Sequence, residues 1–111
     1  MKVLHVLSAL NGGGVENSIL NYYRYLFNDI QFDFVVFGKN EGILEPEFRQ
    51  MGSTIFHVTP KRDGFFEYLQ QLKELLKKNE YDFVHCHQAE KGWPVYRLAK
   101  KYGKAKCIMH S

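Results

Sequence analysis

Five short apolar runs alternate with segments whose apolar residues recur at helical spacing, and this alternation constrains the fold more than any other feature of the chain. The runs are Lys2–Ser8, Phe32–Phe37, Thr54–Val58, Asp82–His87 and Ala105–His110. Short, dense apolar runs are what parallel strands covered on both faces require. Between the first two, Val15, Ile19, Leu20, Tyr23, Leu26 and Phe27 fall on one helical stripe. Leu44–Met51 reads as a short helix with Pro46 in its first turn and Gly52 at its C-terminal end. Phe65–Lys78 is the clearest helix. Its stripe of Phe65, Phe66, Leu69, Leu72, Leu75 and Leu76 is expected to face the core. Pro94–Tyr102 reads as a last helix, started by proline and stopped by Gly103. Strands alternating with helices predict an α/β domain, a Rossmann-like three-layer arrangement with a parallel sheet and right-handed crossovers.

The 111 residues fit one domain, 1–111, with a core of its own. A charged fraction of 24% is ordinary for a globular domain, and a net charge of +3 is too small to argue for nucleic acid. Cys86 and Cys107 lack the spacing of a disulfide framework or zinc knuckle and fit a reducing compartment. MKVLHVLSAL reads as a first core strand rather than a signal peptide, and no apolar run approaches a membrane span. These features together predict a cytoplasmic location.

Gly12, Gly13 and Gly14 follow the first strand and precede the first helix. Glycines let the backbone approach a ligand closely, and a helix N-terminus offers unpaired N–H groups to a phosphate. The dinucleotide fingerprint GxGxxG fails, because Asn17 stands at its third glycine and the second strand ends in VVFGKN without an acidic residue. No GK[ST] follows, so the phosphate loop of the common ATPases is absent too. A tight turn with no ligand stays open. Glu16, in the first helical turn, either stabilises the helix dipole or contacts a ligand, and it would repel a nearby phosphate.

In YDFVHCHQ, strand alternation places His85 and His87 on one face and Cys86 on the other. The paired histidines lack a third ligand at useful spacing, so no metal is expected. His87 lies at the carboxyl end of its strand, where open α/β sheets bind ligands. His85 is expected to be buried and hydrogen-bonded in the core.

These stretches resemble a known family. NGGGVENSILNYYR is similar to the GGxE(R)…N signature near the start of GT-B glycosyltransferases of the family 4 type, YDFVHCHQ to their D-hydrophobic-H-x-H strand, and RLAKKYGKAKCIMHS to the segment before their HSHN-type loop. The resemblance covers essentially the whole chain with the motifs in order, and it is nearest to bacterial enzymes of capsule or exopolysaccharide synthesis. It implies the N-terminal, acceptor-side half of a two-domain GT-B enzyme. The chain, stopping at CIMHS, is then expected to lack the C-terminal donor-binding domain with its E-x7-E pair and to be inactive alone. Such enzymes move a sugar from a nucleotide-sugar donor to a glycan or lipid-linked acceptor, usually with retention, without a bound metal or other cofactor. Carried over, Gly13 and Gly14 approach the donor phosphate or the acceptor, and His87 hydrogen-bonds the transferred sugar. Glu16 and Asn17 complete the first motif, with Asn17 where the family has a basic residue.

Lys91, Arg97, Lys100, Lys101, Lys104 and Lys106 form a basic stretch with no acidic residue among them. It is either a solvated helix face or a surface for peripheral contact with anionic lipid. No nucleic-acid motif accompanies it. Trp93 is either a packing residue or an aromatic wall for a sugar. Without the resemblance, a nucleotide-binding or flavodoxin-like module, or a small interaction domain with no ligand, would fit the same pattern.

Overall fold

The computed structural model describes residues 1–7, 10, 12–60, 63–87, 97–98 and 100–101, and the backbone of 106–109. Its elements are β1 (Lys2–Val6), α1 (Gly14–Leu26), β2 (Gln31–Phe37), α2 (Glu45–Gln50), β3 (Ile55–Val58), α3 (Phe65–Lys78), β4 (Phe83–Cys86) and β5 (Lys106–Met109). Five strands form one sheet in the order β3-β2-β1-β4-β5. Every neighbouring pair is parallel. The Rossmann-like expectation holds, with element ends differing by a residue or two from the sequence reading. Ser8, Trp93, Lys91, Lys104 and most of the Pro94–Tyr102 segment lie outside the described residues.

Strand alternation sorts the core into two layers. Phe32, Phe34 and Val36 of β2 pack with Ile19, Leu20 and Tyr23 of α1 and Phe48 of α2. Val35 faces the opposite layer with Leu4, Val6 and Val84, under Tyr68, Leu72, Leu75 and Leu76 of α3. Large rings fill the first layer. Tyr23 stacks on Phe32 at 4.6 Å between centroids, and Phe34 meets Phe48 at 4.5 Å. Burying a side chain of this size contributes about 1.5–3 kcal/mol.

The α3 stripe needs a correction. Phe66 is 88% exposed and Phe65 40% exposed, whereas Tyr68 is fully buried. At about 100° per residue, Phe66 lies roughly 160° around the helix from Tyr68 and so faces solvent. Phe65 sits in the first turn, stacked at 6.3 Å on Tyr68.

At the amino ends of the strands, the carboxyl group of Asp33 is buried in β2. It accepts hydrogen bonds from the Tyr81 hydroxyl at 2.7 Å, the Thr54 N–H at 3.0 Å and Gln31 Nε2 at 2.9 Å. These contacts tie the start of β3 and the approach to β4 to β2. Burial, then the hydrogen bond with Asp33 and its charge, push the Tyr81 phenol well above its ordinary range.

Candidate functional site

All five strands point the same way, so their carboxyl ends share one edge of the sheet. The chain winds from β1 outward through β2 to β3, then returns to place β4 on the other side of β1. Order therefore reverses between β1 and β4, the crevice at which open α/β sheets take ligands. The glycine loop leaves β1 there, and His87 follows β4 there, its N–H donating to the Val6 carbonyl at 3.0 Å.

Gly12 adopts φ +92°, a conformation open to glycine and strained for other residues. Gly13 then caps α1 in an extended conformation without a side-chain cap hydrogen bond. Instead, Asn17 Nδ2 reaches back to the carbonyls of Gly12 at 2.5 Å and Gly13 at 3.2 Å. Asn17 thus holds the turn from inside the helix, a role that needs no positive charge. Glu16 folds over Gly13, its Oε2 2.8 Å from where a Cβ would stand. Among the described residues, no atom lies within 4 Å of where a Cβ on Gly14 would stand. The helix start is accordingly exposed at Gly13, Gly14 and Asn17, with the half-buried Glu16 carboxylate beside it.

His87 does not stand alone. His5 in β1 lies opposite His85 in the parallel register, and its Nδ1 is 3.0 Å from His87 Nε2. The His85 and His87 rings stack at 3.9 Å between centroids. Sequence reasoning offered no third histidine along the strand; the neighbouring strand supplies it. His85 is half-buried rather than buried, and the buried member is His5. Phe32 and Phe34 press against the His5 ring at 4.4 and 5.4 Å. Burial first, then the His87 and His85 charges, push its pKa down to about 3, so His5 is neutral near pH 7. The signal in sequence would have been the register of β1 against β4, which local pattern does not carry.

A second loop braces the glycine turn. A Cβ on Gly42 would meet the Leu10 carbonyl oxygen at 2.5 Å, and the Leu44 N–H donates to that same carbonyl at 2.9 Å. Glu45, fully buried, holds this brace by accepting from the Gly42 N–H at 2.5 Å and from Arg49 at 3.1 Å. His57 lies between two acceptors, the Gly38 carbonyl at 2.8 Å from Nδ1 and Glu45 Oε1 at 2.8 Å from Nε2. Both ring nitrogens must donate, which favours the imidazolium. Burial lowers its pKa, but the Glu45 and Gly38 hydrogen bonds and the Glu45 charge outweigh that and raise it above 6.5. A raised folded-state pKa contributes stability that is present below the unfolded value and lost as pH rises through the folded one. Chemical unfolding is therefore expected to show stability declining from pH 6.5 upward, and His57→Gln should remove that slope; an identical slope in the variant counts against the assignment.

Of the basic stretch, Arg97, Lys100 and Lys101 are helical and exposed, while Leu98 packs against the α3 layer. No helix among the described residues is long and apolar enough to cross a membrane.

The described strands form a Rossmann-like α/β domain with a glycine turn and a histidine where the strand order reverses. The family model of Glycosyltransferase Family 4 matches residues 12–110, and the chain belongs to that family. The chain is 32% identical over 88 residues to the capsular polysaccharide biosynthesis glycosyltransferase CapH of Staphylococcus aureus, covering 78% of this chain and 24% of CapH. It is 29% identical over 89 residues to a provisionally named glycosyltransferase, EpsF, of Bacillus subtilis (strain 168), covering 78% of this chain and 23% of EpsF. The chain thus spans about a quarter of the length of these curated relatives. Its fold is similar to that of the C-terminal domain of PF1911 hydrogenase from Pyrococcus furiosus, with a TM-score of 0.62 at 21% identity, over 99% of this chain and 90% of that one. At that identity the likeness speaks to fold alone.

Proposed function

We propose that the chain is the acceptor-side, N-terminal domain of a cytoplasmic glycosyltransferase that moves a hexosyl group from a nucleotide-sugar donor, with retention, to a glycan or lipid-linked acceptor in polysaccharide biosynthesis. The observation that carries this reading is the placement of the glycine turn and His87 at the carboxyl ends of β1 and β4, where the strand order reverses. The names of CapH and EpsF support the reaction class.

In this reading, His87 hydrogen-bonds the transferred sugar, and the N–H groups at Gly13 and Gly14 meet the negative charge that builds on the departing nucleoside diphosphate. Glu16 must swing off Gly13 for a phosphate to come close, so its carboxylate makes that position selective rather than freely open. Asn17 acts by shaping the turn. A second domain supplies the remaining charge and closes the cleft against water, and the 111-residue chain by itself is inactive. Sugar transfer by the isolated chain at enzymatic rates would overturn that division of labour.

Binding is tested by titrating the full-length protein with nucleoside diphosphates while following the resonances of Gly13, Gly14 and His87. Saturable shifts are expected at all three, and silence at all three removes the assignment. The exposed Arg97, Lys100 and Lys101, with Lys91 and Lys104, would bring the enzyme to anionic lipid that carries its acceptor. Cosedimentation with anionic but not neutral vesicles checks this, and equal sedimentation with both defeats it.

A further inference from the structure

We propose that His5, His85 and His87 form a binding site for one divalent transition-metal ion of the zinc type, held by three imidazole nitrogens. Two features of the fold assemble it. The parallel register sets His5 against His85, and alternation along β4 brings His87 to the same face, with its N–H still paired to β1 through Val6. One nitrogen from each ring lies within 4.8 Å of one from each of the others. Nitrogens around tetrahedral zinc, each about 2.0–2.1 Å from the metal, stand about 3.3 Å apart. The widest pair must therefore close by about 1.5 Å at most, within reach of side-chain rotation.

The nearest pair is already at that spacing. His5 Nδ1 and His87 Nε2 are 3.0 Å apart, so one ring donates its N–H to the other, in a direction set by the tautomers. A cation there does the same work for two nitrogens and recruits the third. Binding through Nδ1 places the ring proton of His5 on Nε2, which is buried without a hydrogen-bond partner among the described residues. The donor set is all imidazole, which suits zinc, cobalt, nickel and copper and not the oxygen-seeking magnesium or calcium. Cys86 packs in the opposite layer with Val84 and Tyr68 and stays out of the set. Three protein ligands leave one tetrahedral position for water. The site shares His87 with the sugar-transfer reading, but ion binding requires neither donor nor acceptor and is read without turnover.

The purified, chelator-stripped protein is titrated with Zn²⁺ by calorimetry and with Co²⁺ by visible absorption. Expected are one ion per chain, the absorption bands of tetrahedral nitrogen-ligated Co²⁺, and their loss on adding Zn²⁺. His85→Ala and His87→Ala, each at a partly exposed position and checked for native circular dichroism, should weaken binding roughly 100-fold or more, beyond what loss of an outer partner costs. His57→Ala should leave it unchanged. Absence of binding overturns the proposal. So does undiminished affinity in both the His85 and His87 variants, or loss of binding in His57→Ala, because the ion would then be held elsewhere.

Discussion

On the proposed reading, replacing His87 with alanine in the full-length protein is expected to lower sugar transfer by roughly 10²–10³-fold, comparable to the loss of one preorganised hydrogen bond made in the transition state. His87 follows β4 at the point where the strand order reverses, its backbone is fastened to Val6, and its ring is held by His5 and stacked on His85. A side chain fixed on three sides loses little freedom when it meets the sugar. The loss should appear in kcat more than in KM, because the contact strengthens as the glycosidic bond breaks. Rates are read as nucleoside diphosphate release from the donor the full-length protein accepts. A variant within fivefold of the parent would remove His87 from the reaction.

Asp33→Ala is expected to destabilise the domain by about 3 kcal/mol, because it strips the acceptor from a buried Tyr81 hydroxyl and from the Thr54 N–H together. Asp33→Asn keeps an acceptor oxygen and should cost less. Urea unfolding of both variants measures the difference, and an alanine variant within about 0.5 kcal/mol of the parent refutes the account. The donor binding proposed for the other end of the strands should survive in the fraction that remains folded. The two substitutions thus separate the edge of the sheet that holds the fold from the edge at which sugar transfer is proposed.

The strands were legible because parallel strands covered on both faces concentrate apolar residues in short runs, and β1, β2 and β4 do so plainly. The helices were legible from their stripes, with one failure of detail at Phe66, where adjacent apolar residues in a first turn cannot both face the sheet. Asp33 was not legible. In QFDFVVF a single carboxylate is surrounded by apolar residues, and only the arrival of Tyr81 and Thr54 from distant segments explains it. The glycine turn and His87 stood out because each combines a residue type with an end-of-strand position. His5 did not, since it sits inside an apolar run and acquires meaning only from the lateral register of β1 on β4. Glu45 and His57 are similar, a pair joined across twelve residues of sequence by a fold that local pattern does not reveal.

The contact between Gly42 and the Leu10 carbonyl bears on how such a protein can be re-engineered. Grafting a connector from a relative between β2 and α2 would succeed only if the graft kept a residue without a side chain at that spot. Any other choice lifts the connector off its neighbour and disturbs the glycine turn beside it. Libraries that vary this connector should therefore hold position 42 constant and diversify Lys39 to Glu41 and Ile43, where side chains are exposed to solvent.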